Sequence, residues 1–287
     1  MHVFVTGGTG YIGQSVVKQL VEGGHGVSAL VRSDASAAAA EALGAVPVRG
    51  ELTDADTVTS AASLADAAIH LAATNDADGP AADLAVAQAI LAGLNGKPYV
   101  HTGGVWVYGN TGGVAAEESP LSPPDITSWR IENERTILAA AETGGHPVLV
   151  MPAVVWGNRG GLIPLLFLDS GVDGAVNYLG DGDTHTTLVH VDDIAALYVL
   201  ALGAEPGSKY LGVTQSVTQR EVAEALAKAP GNPDQVASWP ADDARGAFGG
   251  LADAMLLDQR ASGAKAQREL GWAPVHTDAL TELATGA

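Results

Sequence analysis

Val5-Thr6-Gly7-Gly8-Thr9-Gly10-Tyr11-Ile12-Gly13 is the stretch whose reading decides the fold. It closes a short apolar run, His2 to Thr6, that reads as a buried strand. It opens a helical pattern with apolar Ile12, Val16, Val17 and Leu20, stopped by Gly23-Gly24. Glycines between a buried strand and a helix make an anion cradle. The first permits the tight turn, the second lets backbone approach a pyrophosphate, and the third lets the helix pack close to the strand. The helix's unpaired N–H groups and dipole then hold the phosphates. Gly7, Thr9, Gly10, Tyr11, Ile12 and Gly13 are therefore the expected cofactor contacts of this loop.

Working outward, strand and helix signals alternate. Strands are expected at Val27–Val31, Val46–Arg49, Ala67–Leu71, Pro98–Thr102 and Val148–Val155. Asp34 is expected to cap an alanine-rich helix reaching Leu43, and Asp54 to cap the next. A helix is expected over 83–94, with Leu84, Ala87, Leu91 and Leu94 on one face, and a long one over 128–142. This alternation predicts an α/β fold, a doubly wound parallel sheet of the Rossmann type. From residue 157 glycine and proline become dense, and helices at 192–203 and 218–229 flank a strand at 209–213. The expected organisation is a dinucleotide-binding domain over 1–156, with 188–213 returning to it. A small C-terminal substrate-binding region, 157–187 and 214–287, packs over the carboxyl edge of the sheet.

Composition narrows the function. The 287 residues carry 14 Lys and Arg against 33 Asp and Glu, a net charge of −19. Such a surface repels nucleic acid and anionic lipid, so neither is expected as a partner. There is no cysteine, which excludes disulfides, thiolate nucleophiles and cysteine-ligated metal centres. No apolar run approaches the ~18 residues of a membrane span, and the first residues lack a signal peptide's basic region, so a cytoplasmic location is expected. His185, His190, Asp192 and Asp193 match no zinc spacing, Asp181-Gly182-Asp183 lacks the downstream glutamate of a calcium loop, and no metal site is expected. No Gly-x-Ser-x-Gly elbow supports a hydrolase.

The end of the second strand chooses the cofactor. An acid there would accept from ribose hydroxyls and repel a 2′-phosphate; this chain has Val31-Arg32-Ser33, so NADP(H) is favoured over NAD(H).

Further segments carry a family resemblance. They are Gly50-Glu51-Leu52-Thr53-Asp54, His70-Leu71-Ala72-Ala73, Val105-Trp106-Val107-Tyr108-Gly109, Val189-His190-Val191-Asp192-Asp193 and the tail from Asp258 to Pro274. With the glycine loop, these resemble the short-chain dehydrogenase/reductase superfamily, in its extended or atypical epimerase/dehydratase-like branch. The resemblance implies that Glu51 and Leu52 lie beside the adenine, and Ala72 and Ala73 on the ribose side. It implies that Thr102 ends the fifth strand at the nicotinamide, against which Pro152, Ala153 and Val154 also pack. His190, Asp192 and Asp193 would be structural.

The chemistry departs from the family pattern. Typical members use a Ser, then a Tyr-x-x-x-Lys whose lysine lowers the tyrosine's pKa. Here the corresponding positions hold Gly104, Ile126 and Arg130. Arg130 can hold ribose hydroxyls but does not shuttle a proton. The proton source stays open among Thr102, Tyr108, His101, Tyr178 and His185, with Thr102 placed to polarise a carbonyl. The expected catalytic residues are Thr102, Arg130 and Tyr178, and Trp106, Trp129, Trp156, Phe167 and Tyr178 are candidates to wall a pocket. The expected activity is an NADP(H)-dependent reduction of a carbonyl, imine or activated alkene of a small apolar molecule. The alternatives are a non-redox isomerase, lyase or cyclase, and a catalytically silent NADP(H)-binding sensor. The scarcity of basic residues after strands five and six argues against nucleotide sugars. A short 83–94 helix leaves monomer and homodimer equally open.

Overall fold

The computed structural model describes residues 1–74, 76–168 and 171–286. Asn75, in the loop expected to help shape a substrate pocket, lies outside them, as do Asp169, Ser170 and Ala287 of the expected C-terminal region.

The chain begins with β1 (His2–Thr6), α1 (Tyr11–Glu22), β2 (Gly26–Val31), α2 (Asp34–Ala42), β3 (Val46–Arg49), α3 (Ala55–Ser63), β4 (Ala67–His70), α4 (Gly79–Leu94) and β5 (Pro98–Thr102). The strands join a seven-stranded sheet in the order Lys209–Gly212, His146–Pro152, β5, β4, β1, β2, β3. The pairs of β1 with β2 and β4, of β2 with β3, and of β5 with β4 and His146–Pro152 are parallel. Strand order reverses beside β1, so the glycine turn leaves the sheet at the switch point where open α/β sheets bind ligands. Val3, Phe4 and Val5 are fully buried, as a central strand covered on both faces requires. Phe4, Val58, Ile90, Leu94, Tyr99 and Ile137 belong to one core cluster.

Local chemistry shifts several expected boundaries. Ser33, not Asp34, caps α2: its hydroxyl accepts from Ser36 N–H at 3.1 Å while the Ser36 hydroxyl accepts from Ser33 N–H at 3.0 Å. Asp34 is thereby free to pair with Arg49. Asp54 does cap α3, accepting from Thr57 N–H at 3.1 Å. α4 starts at Gly79 rather than 83 and runs sixteen residues, because Pro80 fits the first turn, where its missing N–H costs nothing. It buries Val86, Ala87, Ile90 and Leu94, with Leu84 and Leu91 only half-buried. The shortness argued for this helix therefore does not hold. The helix expected over 128–142 is three pieces: a turn at Asp125–Ser128, a helix at Arg130–Ala139 and a tightened turn at Ala140–Thr143, ended by left-handed Gly144. The sixth strand also divides, into His146–Pro152 and Val154–Trp156, which belong to different sheets.

Two compact units emerge. The first comprises Met1–Gly103, Trp129–Met151 and Ala195–Tyr210. The second comprises Gly104–Ser128, Pro152–Ile194 and Leu211–Ala287. Within the second, Val154–Trp156, His185–His190 and Gln215–Thr218 form a three-stranded sheet, and Val176–Leu179 pairs with Val236–Trp239. Its core gathers Trp156, Phe167, Leu188, Val222 and Trp239. Gln259 ties the early segment in, donating through Nε2 to the carbonyls of Val105 (2.8 Å) and Gly109 (3.1 Å). Among the described residues, no helix is long and apolar enough to cross a membrane.

The closest packing constraint lies between α1 and the turn before it. A Cβ built on Gly13 would stand 2.0 Å from the Gly7 carbonyl oxygen, which no rotamer relieves. Gly13→Ala is expected to lower stability by more than about 2 kcal/mol in urea unfolding. Gly113→Ala, whose Cβ meets nothing within 4 Å, is the matched control and should stay near wild type.

Candidate functional site

The glycine turn has the geometry of a phosphate cradle. Gly7 adopts φ +73°, and a Cβ there would approach the Ala72 nitrogen to 2.6 Å. The left-handed backbone and the nearness of the chain leaving β4 both demand glycine. Gly10 N–H donates to the Gly7 carbonyl at 2.9 Å, and no side chain caps α1. A helix N-terminus is where backbone amides hold a diphosphate, and Thr9, Tyr11 and Ile12 stand at this one. The residues present fit a dinucleotide.

At the end of β2, Arg32 is exposed, while Asp34 is paired with Arg49. The carboxylate nearest Arg32 in sequence thus faces a second cation, in an exposed and solvent-screened pair. Glu51 is exposed, Leu52 and Ala72 are half-buried, and Ala73 is exposed.

Thr102 and Arg130 are brought together. Arg130 Nη1 donates to the Thr102 carbonyl at 3.1 Å, and its guanidinium lies 4.6 Å from the centre of the Trp129 ring. The Thr102 hydroxyl is already engaged: it donates to the His70 carbonyl at 2.6 Å and accepts from the Tyr198 hydroxyl at 2.9 Å. A hydroxyl has one proton, so Thr102 polarises a substrate carbonyl only by releasing that of His70. Tyr198, fully buried, is the tyrosine that sequence reasoning passed over. Burial pushes its hydroxyl above the ordinary tyrosine range, so it is no low-pKa substitute for the family tyrosine. Its position inside a late helix has no local signal.

Beneath these residues lies a buried polar cluster. Burial pushes the His101 imidazole down to about 3, outweighing the opposing pull of Asp83, so the ring is neutral. Glu134 lies against Gly103, where an added Cβ would meet its Oε1 at 2.8 Å. Burial lifts the Glu134 carboxyl to about 7; Arg130 and Lys209 oppose the lift, and Asp83 adds to it.

In the second unit, Tyr178 packs under Arg220, whose guanidinium sits 4.4 Å from the ring centre and whose Nη1 donates to the tyrosine hydroxyl at 2.9 Å. His185 Nδ1 lies 2.8 Å from Asp258 Oδ1. Tyr108 donates to the Glu117 carbonyl at 3.0 Å, packed within its own loop. Asp193 accepts from Val275 N–H (2.8 Å) and His276 N–H (2.9 Å), and its carbonyl takes the Trp272 indole N–H at 2.8 Å. His190 stacks on His276 at 3.7 Å, with Trp156 edge-on. Pro152 and Val154 are buried. Of the five aromatics expected to wall a pocket, Trp106 and Phe167 line a recess with Val154, Leu166 and Met255, which His185, Thr186, Gln219 and Gln259 also line. Its cavity is about 20 Å³, room for roughly one water. Trp129, Trp156 and Tyr178 are instead packed against Arg130, His190 and Arg220. At Gly104, the position expected from the resemblance to match the family's serine, the backbone is extended (φ −177°) and a Cβ would meet nothing within 4 Å among the described residues.

The chain belongs to the NAD dependent epimerase/dehydratase family, which matches residues 3–211. It is 34% identical over 297 residues to an uncharacterized protein of Schizosaccharomyces pombe, covering 100% of this chain and 99% of that one. It is 28% identical over 263 residues to the 4-hydroxy-2-methyl-3-oxo-4-farnesyl-3,4-dihydroquinoline-1-oxide ketoreductase of Stigmatella aurantiaca, covering 86% of this chain and 78% of that one. Among solved structures, the UDP-glucose 4-epimerase of Thermus thermophilus in complex with NAD superposes with a TM-score of 0.77 at 21% identity, over 99% of this chain and 98% of that one. The fold is therefore the Rossmann arrangement of that family, and the family and its reductase relatives point to an oxidoreductase-type enzyme.

Two outcomes follow from the site. Glu134 titrates near neutrality when folded and near 4.5 when unfolded, so the folded state holds the extra proton between those values. Stability should fall as pH rises through that window, by up to about 3 kcal/mol, and level off above it. Glu134→Gln should lose this slope, so that its melting temperature relative to wild type climbs from pH 5 to pH 8. Gly104→Ser should stay within about 0.5 kcal/mol of wild type in thermal unfolding, since the space is open.

Proposed function

We propose that the chain is an NADP(H)-dependent reductase acting on a carbonyl, imine or activated alkene of a small apolar molecule. The observation that carries this reading is the glycine turn: Gly7 and Gly13 are held at contacts that exclude any side chain, before a helix with no side-chain cap. Preference for the 2′-phosphate rests on Arg32, exposed beside Ser33 while Arg49 takes up Asp34.

The bound coenzyme would supply hydride. Backbone amides within the turn and first helical turn would hold the diphosphate, with Gly7, Thr9, Gly10, Tyr11, Ile12 and Gly13 forming the cradle. Arg32 and Ser33 take the 2′-phosphate, Glu51 and Leu52 flank the adenine, and Ala72 and Ala73 the ribose. Arg130, tethered to the Thr102 carbonyl, holds the nicotinamide ribose hydroxyls. Pro152 and Val154 are assigned to the nicotinamide by the family pattern. Thr102 orients the acceptor when its proton turns from the His70 carbonyl to the substrate, the Tyr198 bond keeping its oxygen in place. Tyr178 is the proposed proton donor: its hydroxyl accepts from Arg220 and so keeps its own proton to give. The ketoreductase relative acts on an apolar substrate by its name, which supports the substrate class. The open space at Gly104, with no serine, favours the non-redox isomerase, lyase or cyclase as the second reading.

Fluorescence titration with NADPH and NADH tests the cofactor. Arg32→Asp should weaken NADPH about 10- to 100-fold, the value of charge-assisted hydrogen bonds of about 1.5–3 kcal/mol, and leave NADH little changed. Equal NADPH affinity in both proteins would overturn the preference. A carbonyl and imine panel should oxidise NADPH stoichiometrically, and turnover without any change in its absorbance would select the second reading.

A further inference from the structure

We propose that His70, Asp83 and His101 form a binding site for one divalent cation of the zinc class. The three residues come from β4, α4 and β5, far apart in sequence, so no motif announces them. His70 and His101 are 1% and 0% exposed, and the Asp83 side chain 13%. The Nε2 atoms of both histidines are buried with no hydrogen-bond partner among the described residues. Each faces a different oxygen of one carboxylate: His70 Nε2 lies 3.6 Å from Asp83 Oδ1, and His101 Nε2 lies 3.6 Å from Asp83 Oδ2. All three ligand atoms fall within 4.8 Å of one another.

These distances are long for hydrogen bonds and close to what a shared metal would set. Zinc binds imidazole nitrogen and carboxylate oxygen at about 2.0–2.2 Å, which in a tetrahedral site places the ligand atoms about 3.4 Å apart. Two neutral imidazoles and one carboxylate are a donor set for a borderline cation. The far side of each ring is also occupied. Thr6 Oγ1 lies 2.6 Å from His70 Nδ1, and the Tyr99 hydroxyl lies 2.7 Å from His101 Nδ1. Both hydroxyls can accept from Nδ1–H, the arrangement that turns the Nε2 lone pair toward a metal. Asn133 Nδ2 donates to Asp83 Oδ2 at 3.0 Å and to the Pro80 carbonyl at 2.8 Å, holding the carboxylate in place. The ion would clamp β4, α4 and β5 directly behind Thr102, whose hydroxyl rests on the His70 carbonyl. The competing arrangement puts the protons on Nε2, with both hydroxyls donating to Nδ1 and no ion between.

The test uses the full-length, tag-free protein after chelator treatment, with Co²⁺ as the visible probe and Zn²⁺ for stability and imidazole ¹⁵N spectra. One Co²⁺ should bind per chain with ligand-field absorption, and Zn²⁺ should raise the melting temperature. In the presence of Zn²⁺ the spectra should show both rings as Nδ1–H tautomers. Asp83→Asn and His101→Gln should abolish the absorption, and Tyr99→Phe should weaken binding about 10- to 100-fold. His276→Gln, outside the cluster, should leave it unchanged. Absence of stoichiometric binding by the wild-type chain, or Nε2–H tautomers that persist in Zn²⁺, would overturn the proposal. So would full binding by Asp83→Asn, and because the wild-type readings stand alone, a variant that fails to fold does not shelter it.

Discussion

The contact between Gly13 and the Gly7 carbonyl is the constraint on which the rest depends. It brings the first turn of the helix Tyr11–Glu22 onto the turn that leaves the strand His2–Thr6, leaving no room for a Cβ between them. At its other side the same turn meets the chain leaving Ala67–His70, where a Cβ on Gly7 would strike the Ala72 nitrogen. A short turn held from both sides presents its amides in a fixed direction. In the proposed cofactor site that rigidity would supply phosphate affinity in a protein whose net charge of −19 would otherwise repel an anionic coenzyme. Local donors and one helix terminus work against the global field.

Around the ends of the neighbouring strands the interior is densely paired. Tyr198, Thr102 and the His70 carbonyl form one hydrogen-bonded line, and Arg130 holds the same residue from its backbone side. Such a line orders Thr102 at the cost of occupying its hydroxyl. Below it, Glu134 carries a carboxyl that burial lifts to titrate at about 7. In the proposed site these groups would place and orient, and Gly104 and Ile126 stand where the resemblance to the family led us to expect its serine and tyrosine.

Within the second unit the tail is anchored by hydrogen bonds that each pair a side chain with backbone. Asp193 gathers two backbone amides and an indole N–H, so the residues from Trp272 to His276 take their position from one carboxylate and one carbonyl. The stacked His190 and His276 rings fill the adjoining space against Trp156. The resemblance to an Asp-Asp segment opening a late helix carries this structural role without any pocket chemistry.

Much of this was legible in the order of residues. Glycine spacing and strand and helix alternation are local patterns, and local patterns survive because they act through backbone geometry and nearest neighbours. Element ends were less legible: a serine outcompeted the adjacent aspartate as a cap, and Pro80 began a helix rather than blocking one. What only the tertiary structure decided is which distant side chains share a buried volume. Nothing near Tyr198 in sequence points to Thr102, and nothing joins His70, Asp83 and His101 until three elements stand side by side. Burial then sets the protonation of Glu134 and the direction of the Thr102 proton, because a low-dielectric interior exists only once the chain is folded.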